Sequence, residues 1–305
     1  HESRHAGAGR AVRVPLQPEL RRPPGPRWPH PSDEPYPRSA RRDPRCDWLV
    51  FGRSHFLDED VEAFHVLCWA WLLKCTGGRE ALRETPLVLP TPDFFPPTDS
   101  SGHERAEFIF EHVRDLAGMS EWPVQLVPQA ELAGRVSTLG RVQHSGTAAG
   151  TFSHTGNSGQ ITYDPSHVHT PVKLIATFAH ELSHYLNEGF QEAPPGGWEL
   201  IEPATDVTSV FLGFGVFGAN SAFEFIQTQD FESQGWSSEK FGYLSLDEWA
   251  FNLAIFCDLT GRDVTDLKPH LKWNLFKTSK AAAKYVERRE IGRQILEDIK
   301  GRAAD

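Results

Sequence analysis

The most regular alternation of apolar and polar positions in the chain lies between Thr170 and Gly189. At about 100° per residue, one arc of this segment is apolar and the opposite arc is polar. Thr170 followed by Pro171 is typical of a helix N-cap and first turn, and Gly189 is typical of a C-terminal cap. The pattern therefore predicts an amphipathic helix with one core face and one polar face. The apolar arc holds Leu174, Ile175, Phe178, Ala179, Leu182, Tyr185 and Leu186, and the polar arc holds Lys173, Thr177, His180, Glu181, His184 and Glu188.

Other periodic segments predict further helices and a few short strands. The turn-forming run Thr155–Gly159 separates two alternating segments and indicates a β-hairpin. Ser245-Leu246-Asp247-Glu248 is a capping box that opens a helix ending at Gly261. The mixture predicts an α+β fold with a small sheet and additional helices. The other helices are expected at Asp58–Cys75, His103–Ala117, within about Ile201–Phe217, and at Leu271–Arg289 and Ile291–Lys300. The strands are expected at Thr85–Leu89, Val124–Val127, Thr151–His154 and Gln160–Tyr163, and a hairpin or irregular cover at Phe223–Tyr243.

Composition divides the chain into two parts. Residues 1–45 contain ten arginines, five acidic residues and ten of the 23 prolines, and they show no hydrophobic periodicity. We expect a disordered Arg/Pro-rich tail, for which a plain flexible terminus is a simpler explanation than an acidic or proline-reading partner. Residues 46–305 are expected to form a single domain whose C-terminal helical part begins at about residue 219. Since the tail carries +5 of a total of −10, this domain carries −15, which argues against nucleic acid as the main partner.

The sequence also favours a cytoplasmic location and no membrane association. No apolar segment near the N-terminus has the pattern of a secretory signal. The most apolar later run, Val207–Phe217, is too short and too rich in glycine to cross a membrane. The four cysteines show no Cys-x-x-Cys spacing, and Cys68 lies in an apolar helical run, which is typical of a reduced, buried thiol.

The polar arc contains His180-Glu181-Leu182-Ser183-His184, which has the spacing of a metal-binding motif. Two histidines four residues apart lie one turn apart on one side of a helix, so both rings can reach one ion. Glu181, beside the first histidine, can then act on water bound to that ion. The simpler alternative is a solvated, inert polar face, since the chain has 14 histidines and the motif can arise by chance.

Glu202 and Asp206, on the helix predicted to follow, make the motif resemble the gluzincin branch of the zinc metallopeptidases. That family pairs His-Glu-x-x-His with a glutamate on a following helix and with an aspartate four residues later that orients a ligand histidine. The metzincin pattern does not match, because it requires glycine at Asn187 and histidine at Phe190.

By motif, the resemblance covers about residues 150–217, and a wider run, Leu87–Phe256, is similar to bacterial metallopeptidase-like proteins with no assigned substrate. It implies a zincin-like fold, in which a small sheet precedes an active-site helix and a ligand-bearing helix follows. It also implies a peptide or protein substrate held in extended form beside a strand, here Gln160–Tyr163 or Thr151–His154.

The resemblance further implies one Zn²⁺ bound by His180, His184 and Glu202, with Asp206 orienting a histidine. Glu181 is then the base that takes a proton from water and passes it to the leaving amine. The group that stabilises the oxyanion stays open, and the candidates are Tyr163, Tyr243 and His154.

From the residues alone, two other glutamates compete for the position of third ligand. Glu188 lies two turns beyond the first histidine on the same helix, and three ligands in a row would enclose a tetrahedral ion poorly. Glu199 has Pro203 four residues later, where Glu202 has Asp206. We therefore favour Glu202, although Pro203 restricts it to the start of its helix.

The sequence thus predicts a zinc-dependent metallopeptidase. One alternative is a metal-binding but catalytically inactive protein of the same fold that acts as a partner-binding or regulatory module. The other is a structural protein without metal, in which the motif is a coincidence.

Overall fold

A three-stranded mixed sheet packs against the histidine-bearing helix. The computed structural model describes residues 55–129, 149–155, 158–232 and 244–302. The strands, in the order β1-β3-β2 across the sheet, are β1 (Val124–Pro128), β2 (Gly150–Thr155) and β3 (Ser158–Tyr163). β3 pairs in parallel with β1 and antiparallel with β2, so both of its edges are hydrogen-bonded within the sheet. The predicted hairpin and the α+β class are confirmed.

The remainder of the described chain is mainly helical. The nine α-helices within the described ranges are α1 (Glu59–Thr76), α2 (Gly78–Glu84), α3 (Gly102–Leu116), α4 (Pro171–Glu188), α5 (Ile201–Phe211), α6 (Gly215–Glu232), α7 (Leu246–Thr260), α8 (Trp273–Arg289) and α9 (Ile291–Arg302). The capping box is confirmed, because Ser245 Oγ accepts from Glu248 N–H, and Gly261 ends α7 in the left-handed conformation with φ = 72°. No described helix combines the length and apolarity needed to cross a membrane.

Two apolar clusters meet between α4 and α5. One cluster joins α3, the sheet and the apolar face of α4, with Phe110, Ile161 and Phe178 among its buried members. The other joins α1, α5, α7, α8 and α9, with Trp69 and Phe256 among its members. Because α4 belongs to the first cluster and α5 to the second, the polar residues between these helices lie at the seam of the two cores.

The helix predicted within about Ile201–Phe217 is confirmed as α5, and the chain breaks between α5 and α6. Gly213 lies at the break with φ = 94°, and a Cβ there would come within 2.0 Å of Pro86 O. Val88 N–H donates to Gly213 O at 3.0 Å. Gly213 N–H donates to Val210 O at 2.9 Å and Phe214 N–H donates to Ser209 O at 3.0 Å, so a local glycine cap ends α5. The segment that contains Pro86 and Val88 was predicted as the strand Thr85–Leu89, but it is extended without joining the described sheet.

Three further expectations need correction or fall outside the described residues. Phe223–Glu232 is helical and belongs to α6, so the irregular cover predicted from Phe223 is wrong over this part. Gly189 caps the C-terminus of α4 as predicted, but its φ of −74° is not left-handed. A Cβ there would approach Leu186 O at 3.2 Å. Residues 233–243 and the predicted tail, residues 1–45, lie outside the described ranges.

Candidate metal centre

The two histidines of the motif lie one turn apart on α4 and point toward the start of α5. Their Nε2 atoms are 3.1 Å apart, and the two rings are nearly perpendicular. Only about a sixth of each side chain is exposed, 17% for His180 and 16% for His184. The spacing of the motif therefore brings two imidazole nitrogens to one partly shielded point.

Glu202 completes this group from the first turn of α5. Its Oε2 lies 3.4 Å from the Nε2 atoms of both His180 and His184. Pro203 follows in the first helical turn, where a missing N–H is tolerated, so Glu202 is still helical. Hydrogen bonds from the two histidines hold the pKa of Glu202 far below its ordinary value, although burial opposes them.

The other two glutamates lie elsewhere. Glu188 is exposed near the end of α4, and Glu199 is exposed in the short turn before α5. Among the described residues, the group whose ligand atoms lie within 4.8 Å of one another is His180, His184 and Glu202.

These three ligand atoms fit a tetrahedral ion. Zinc binds histidine nitrogen at about 2.0–2.1 Å and carboxylate oxygen at about 2.0–2.2 Å, so the edges of its tetrahedron measure about 3.3–3.5 Å. The observed triangle has edges of 3.1, 3.4 and 3.4 Å. Two imidazoles and one carboxylate are also a common donor set for zinc. The residues present therefore suit Zn²⁺ in both geometry and chemistry.

Asp206, one turn beyond Glu202, contacts the back of His180. Its Oδ1 lies 2.9 Å from His180 Nδ1, and its Oδ2 accepts from Leu244 N–H at 3.3 Å. Burial lowers the pKa of His180, but hydrogen bonds to Asp206 and Glu202 and the charge of Glu181 raise it well above its ordinary value. A field that stabilises a positive charge on this ring also favours a cation beside it.

A different set of groups contacts the back of His184. Thr205 Oγ1 lies 3.3 Å from its Nδ1, and Asn187 Nδ2 donates to the same oxygen at 3.2 Å. Neither Thr205 nor Asn187 is predicted from the sequence as part of the site. A signal existed for Asn187, which follows His184 by three residues and therefore lies beside it on α4. Thr205 carried no such signal, because its role depends on how α5 packs against α4.

Glu181 is buried between α4 and the first residue of β2. Burial raises its pKa above the ordinary value, although the positive charge that His180 and His184 can carry lowers it. A Cβ built on Gly150 would lie 3.1 Å from Glu181 Oε1 and 2.6 Å from Thr177 Cγ2. The part of the predicted polar face from Thr177 to His184 thus lies against β2 and α5, whereas Glu188 is exposed.

The two strands considered for peptide binding differ in whether one of their edges is free within the described sheet. Gln160–Tyr163 belongs to β3, whose edges are both paired, so it offers no edge to an added strand. Thr151–His154 belongs to β2, which is the outer strand on this side of the described sheet and pairs with β3 alone there.

Of the three candidates for the oxyanion partner, the structure describes one side chain. Tyr163 is buried, and its hydroxyl lies 3.0 Å from His103 Nδ1, whose ring stacks on it. The side chain of His154 and the whole of Tyr243 lie outside the described part of the chain.

Comparison with known proteins adds no further assignment. No protein-family profile, no curated protein and no solved structure matches the chain.

Proposed function

We propose that the protein is a zinc-dependent metallopeptidase with a zincin-like fold and a gluzincin-like site. The observation that carries this proposal is the triangle formed by His180 Nε2, His184 Nε2 and Glu202 Oε2, with edges of 3.1–3.4 Å. Three protein ligands on one face of a tetrahedron leave a fourth position open, as catalytic zinc sites require. A small sheet beside α4, with α5 following, also agrees with the fold that such a site implies.

The reaction proposed is hydrolysis of a peptide bond. His180, His184 and Glu202 hold the zinc ion, which when bound supplies Lewis-acid polarisation of the scissile carbonyl and makes water more acidic. Glu181 accepts a proton from the attacking water and returns it to the leaving amine. Burial raises the pKa of Glu181, which favours its uptake of a proton from water. Asp206 accepts from His180 Nδ1, which directs the lone pair of Nε2 into the site.

The substrate proposed is an extended peptide that pairs with β2. The first residue of this strand, Gly150, lies against the carboxylate of Glu181. A peptide added along the outer edge of β2 would be held by backbone hydrogen bonds, which are largely independent of its side chains. Such a peptide would have its scissile bond near Glu181.

We also propose a reducing, cytoplasmic location. The described cysteines, Cys68, Cys75 and Cys257, are free thiols, and burial raises the pKa of each of them. Thiols of this kind are typical of proteins kept reduced. Recovery of the protein mainly in a secreted fraction would contradict this location.

Zinc content and affinity test the ligand set. We expect the purified protein to bind about one equivalent of zinc, and Glu202→Ala to weaken binding far more than the matched variants Glu199→Ala and Glu188→Ala. Absence of zinc binding by the parent protein would refute the metal site. Full zinc retention by Glu202→Ala would move the third ligand to another residue.

Hydrolysis tests the chemistry. With a peptide library as substrate, we expect the parent to cleave and Glu181→Gln to retain zinc without cleaving, because an amide cannot act as the base. Cleavage by Glu181→Gln at the parental rate would refute the mechanism. Zinc binding without cleavage of any peptide would favour the inactive, partner-binding alternative.

A further inference from the structure

The ring of His184 is supported by a chain of neutral hydrogen-bonding groups. Asn187 Nδ2 donates to Thr205 Oγ1 at 3.2 Å, and that oxygen lies 3.3 Å from His184 Nδ1. Thr208 Oγ1 is 3.0 Å from Asn187 Oδ1 and 2.8 Å from Ala204 O, so its single proton is shared between two acceptors. Asn187, Thr205 and Thr208 are each 0% exposed, so protein groups fix their orientation.

The hydrogen-bonding capacity of Thr205 suits a metal-binding histidine. A histidine that binds a metal through Nε2 carries its proton on Nδ1, and this N–H needs an acceptor. For His180 the acceptor is Asp206 Oδ1 at 2.9 Å. A threonine hydroxyl oxygen has two lone pairs. Asn187 donates to this oxygen, and with zinc at Nε2 the protonated Nδ1 of His184 would donate to it as well, across the observed 3.3 Å.

We infer that Thr205 is the positioning residue that orients His184 for zinc, and that Asn187 and Thr208 hold Thr205 in place. The inference rests on the proposed zinc site and extends it to groups outside the ligand set. It also explains why the two histidines have different partners. Glu181, Glu202 and Asp206 already place three carboxylates around the site, and a fourth one behind His184 would add an unneeded buried charge.

The expected effect is smaller than that of Asp206. Loss of a group that orients a metal ligand typically weakens metal binding about 10- to 100-fold. Hydrogen bonds to a charged acceptor are roughly twice as strong as neutral ones, and the contact of Thr205 is the longer of the two, 3.3 Å against 2.9 Å. We therefore expect removal of the Thr205 hydroxyl to weaken zinc binding about tenfold, at the lower end of that range.

The test measures the zinc affinity of full-length variants by competition with a chelator, and each variant changes one buried hydroxyl group. Thr205→Val removes the hydroxyl group and keeps the shape of the side chain. If the valine variant does not fold, Thr205→Ala takes its place. Thr205→Ser keeps the hydroxyl group. Ser183→Ala is the matched control, because Ser183 is equally buried beside His184 but donates to Ala179 O at 2.6 Å. The absorption spectrum of the cobalt-substituted protein reports the coordination geometry independently of activity.

We expect Thr205→Val to bind zinc about tenfold more weakly and to shift the cobalt spectrum, with Thr205→Ser and Ser183→Ala within about threefold of the parent. Parental affinity in the folded valine or alanine variant would overturn the inference and leave the metal site intact. An equal loss in Ser183→Ala would overturn it as well, since any buried hydroxyl would then have the same effect. Absence of zinc binding by the parent would instead overturn the proposed function, and this inference with it.

Discussion

Replacing Gly150 with alanine tests the contact between β2 and Glu181. The new methyl group would meet three atoms at once, Thr177 Cγ2 at 2.6 Å, Thr162 O at 2.8 Å and Glu181 Oε1 at 3.1 Å. Gly150 pairs with Tyr163 on β3, so the strand cannot move away without breaking its ladder. The Thr162 oxygen is a backbone atom of the same sheet and cannot rotate aside, so β2 must shift both within its ladder and away from α4.

The size of that shift follows from the distances. Ordinary contacts of a Cβ begin at about 3.4 Å, so relief of the contacts at 2.6 and 2.8 Å requires a shift of about 0.6–0.8 Å. Overpacking of this kind typically costs about 1–3 kcal/mol. For a protein of this size, the melting temperature falls by about 2–4 °C for each kcal/mol. A catalytic group misplaced by about 1 Å can lose about 100-fold in rate.

The assay compares Gly150→Ala with Ser153→Ala, which places an alanine at an exposed position of the same strand. We expect Gly150→Ala to lower the melting temperature by several degrees and peptide cleavage by about 10- to 100-fold, while zinc affinity changes little because the ligands lie on α4 and α5. Ser153→Ala should resemble the parent in all three measurements. Parental stability and cleavage in Gly150→Ala would refute the proposed closeness of β2 and Glu181.

Three further predictions concern other parts of the chain. Asp206→Asn should weaken zinc binding about 10- to 100-fold, as measured by chelator competition, and parental affinity would contradict its role. Burial raises the pKa of Glu248, but hydrogen bonds from His65 and the capping box outweigh it and lower the pKa. The ionised Glu248 therefore stabilises the fold at pH values above its unfolded-state pKa of about 4.3. This stabilisation is lost as the pH falls through the lower pKa of the folded state. Denaturant unfolding should find Glu248→Gln less stable than the parent by about 1–2 kcal/mol at pH 7. The difference should shrink as the pH falls below about 4.3, and a constant difference would refute the titration argument. Deleting residues 1–45 should leave the melting temperature nearly unchanged, because their sequence has no apolar periodicity, and a large drop would show that they pack on the rest.

Local signals in the sequence predicted most of the helices well. The boundaries of α1, α3, α8 and α9 lie within two residues of the predicted ones, because each helix has its own apolar periodicity and end signals. The capping box of α7 is a purely local interaction and was predicted in full. Where a helix is defined by its own residues, one sequence is sufficient.

Elements shaped by distant segments were predicted less well. The packing of Pro86 and Val88 against Gly213 joins segments more than 120 residues apart in the chain, so local patterns cannot reveal it. Gly213 and Gly215 indicate that the apolar run from Val207 to Phe217 allows close approach, but they do not identify the segment that approaches. The order of the strands likewise depends on β1 pairing with β3 across a long connection, and local alternation cannot reveal which strand is central.

The candidate site shows the same division between local and distant information. His180, Glu181 and His184 share one helix, so their spacing alone placed them together. Glu202 and Asp206 were reachable because they share the next helix and are one turn apart. Thr205 and Asn187 were missed, because threonine and asparagine are common polar residues and become informative only when α4 and α5 face each other.

The C-terminal helices take part in this site through the carboxylate of Asp206. One oxygen of Asp206 contacts His180, and the other accepts from Leu244 N–H, the residue just before the capping box of α7. Glu248 in that box also lies 3.0 Å from the buried ring of His65 on α1. A carboxylate held at both oxygens cannot rotate away from the histidine it orients. The segment that leads into α7 therefore helps to fix the position of His180, together with α4 and α5.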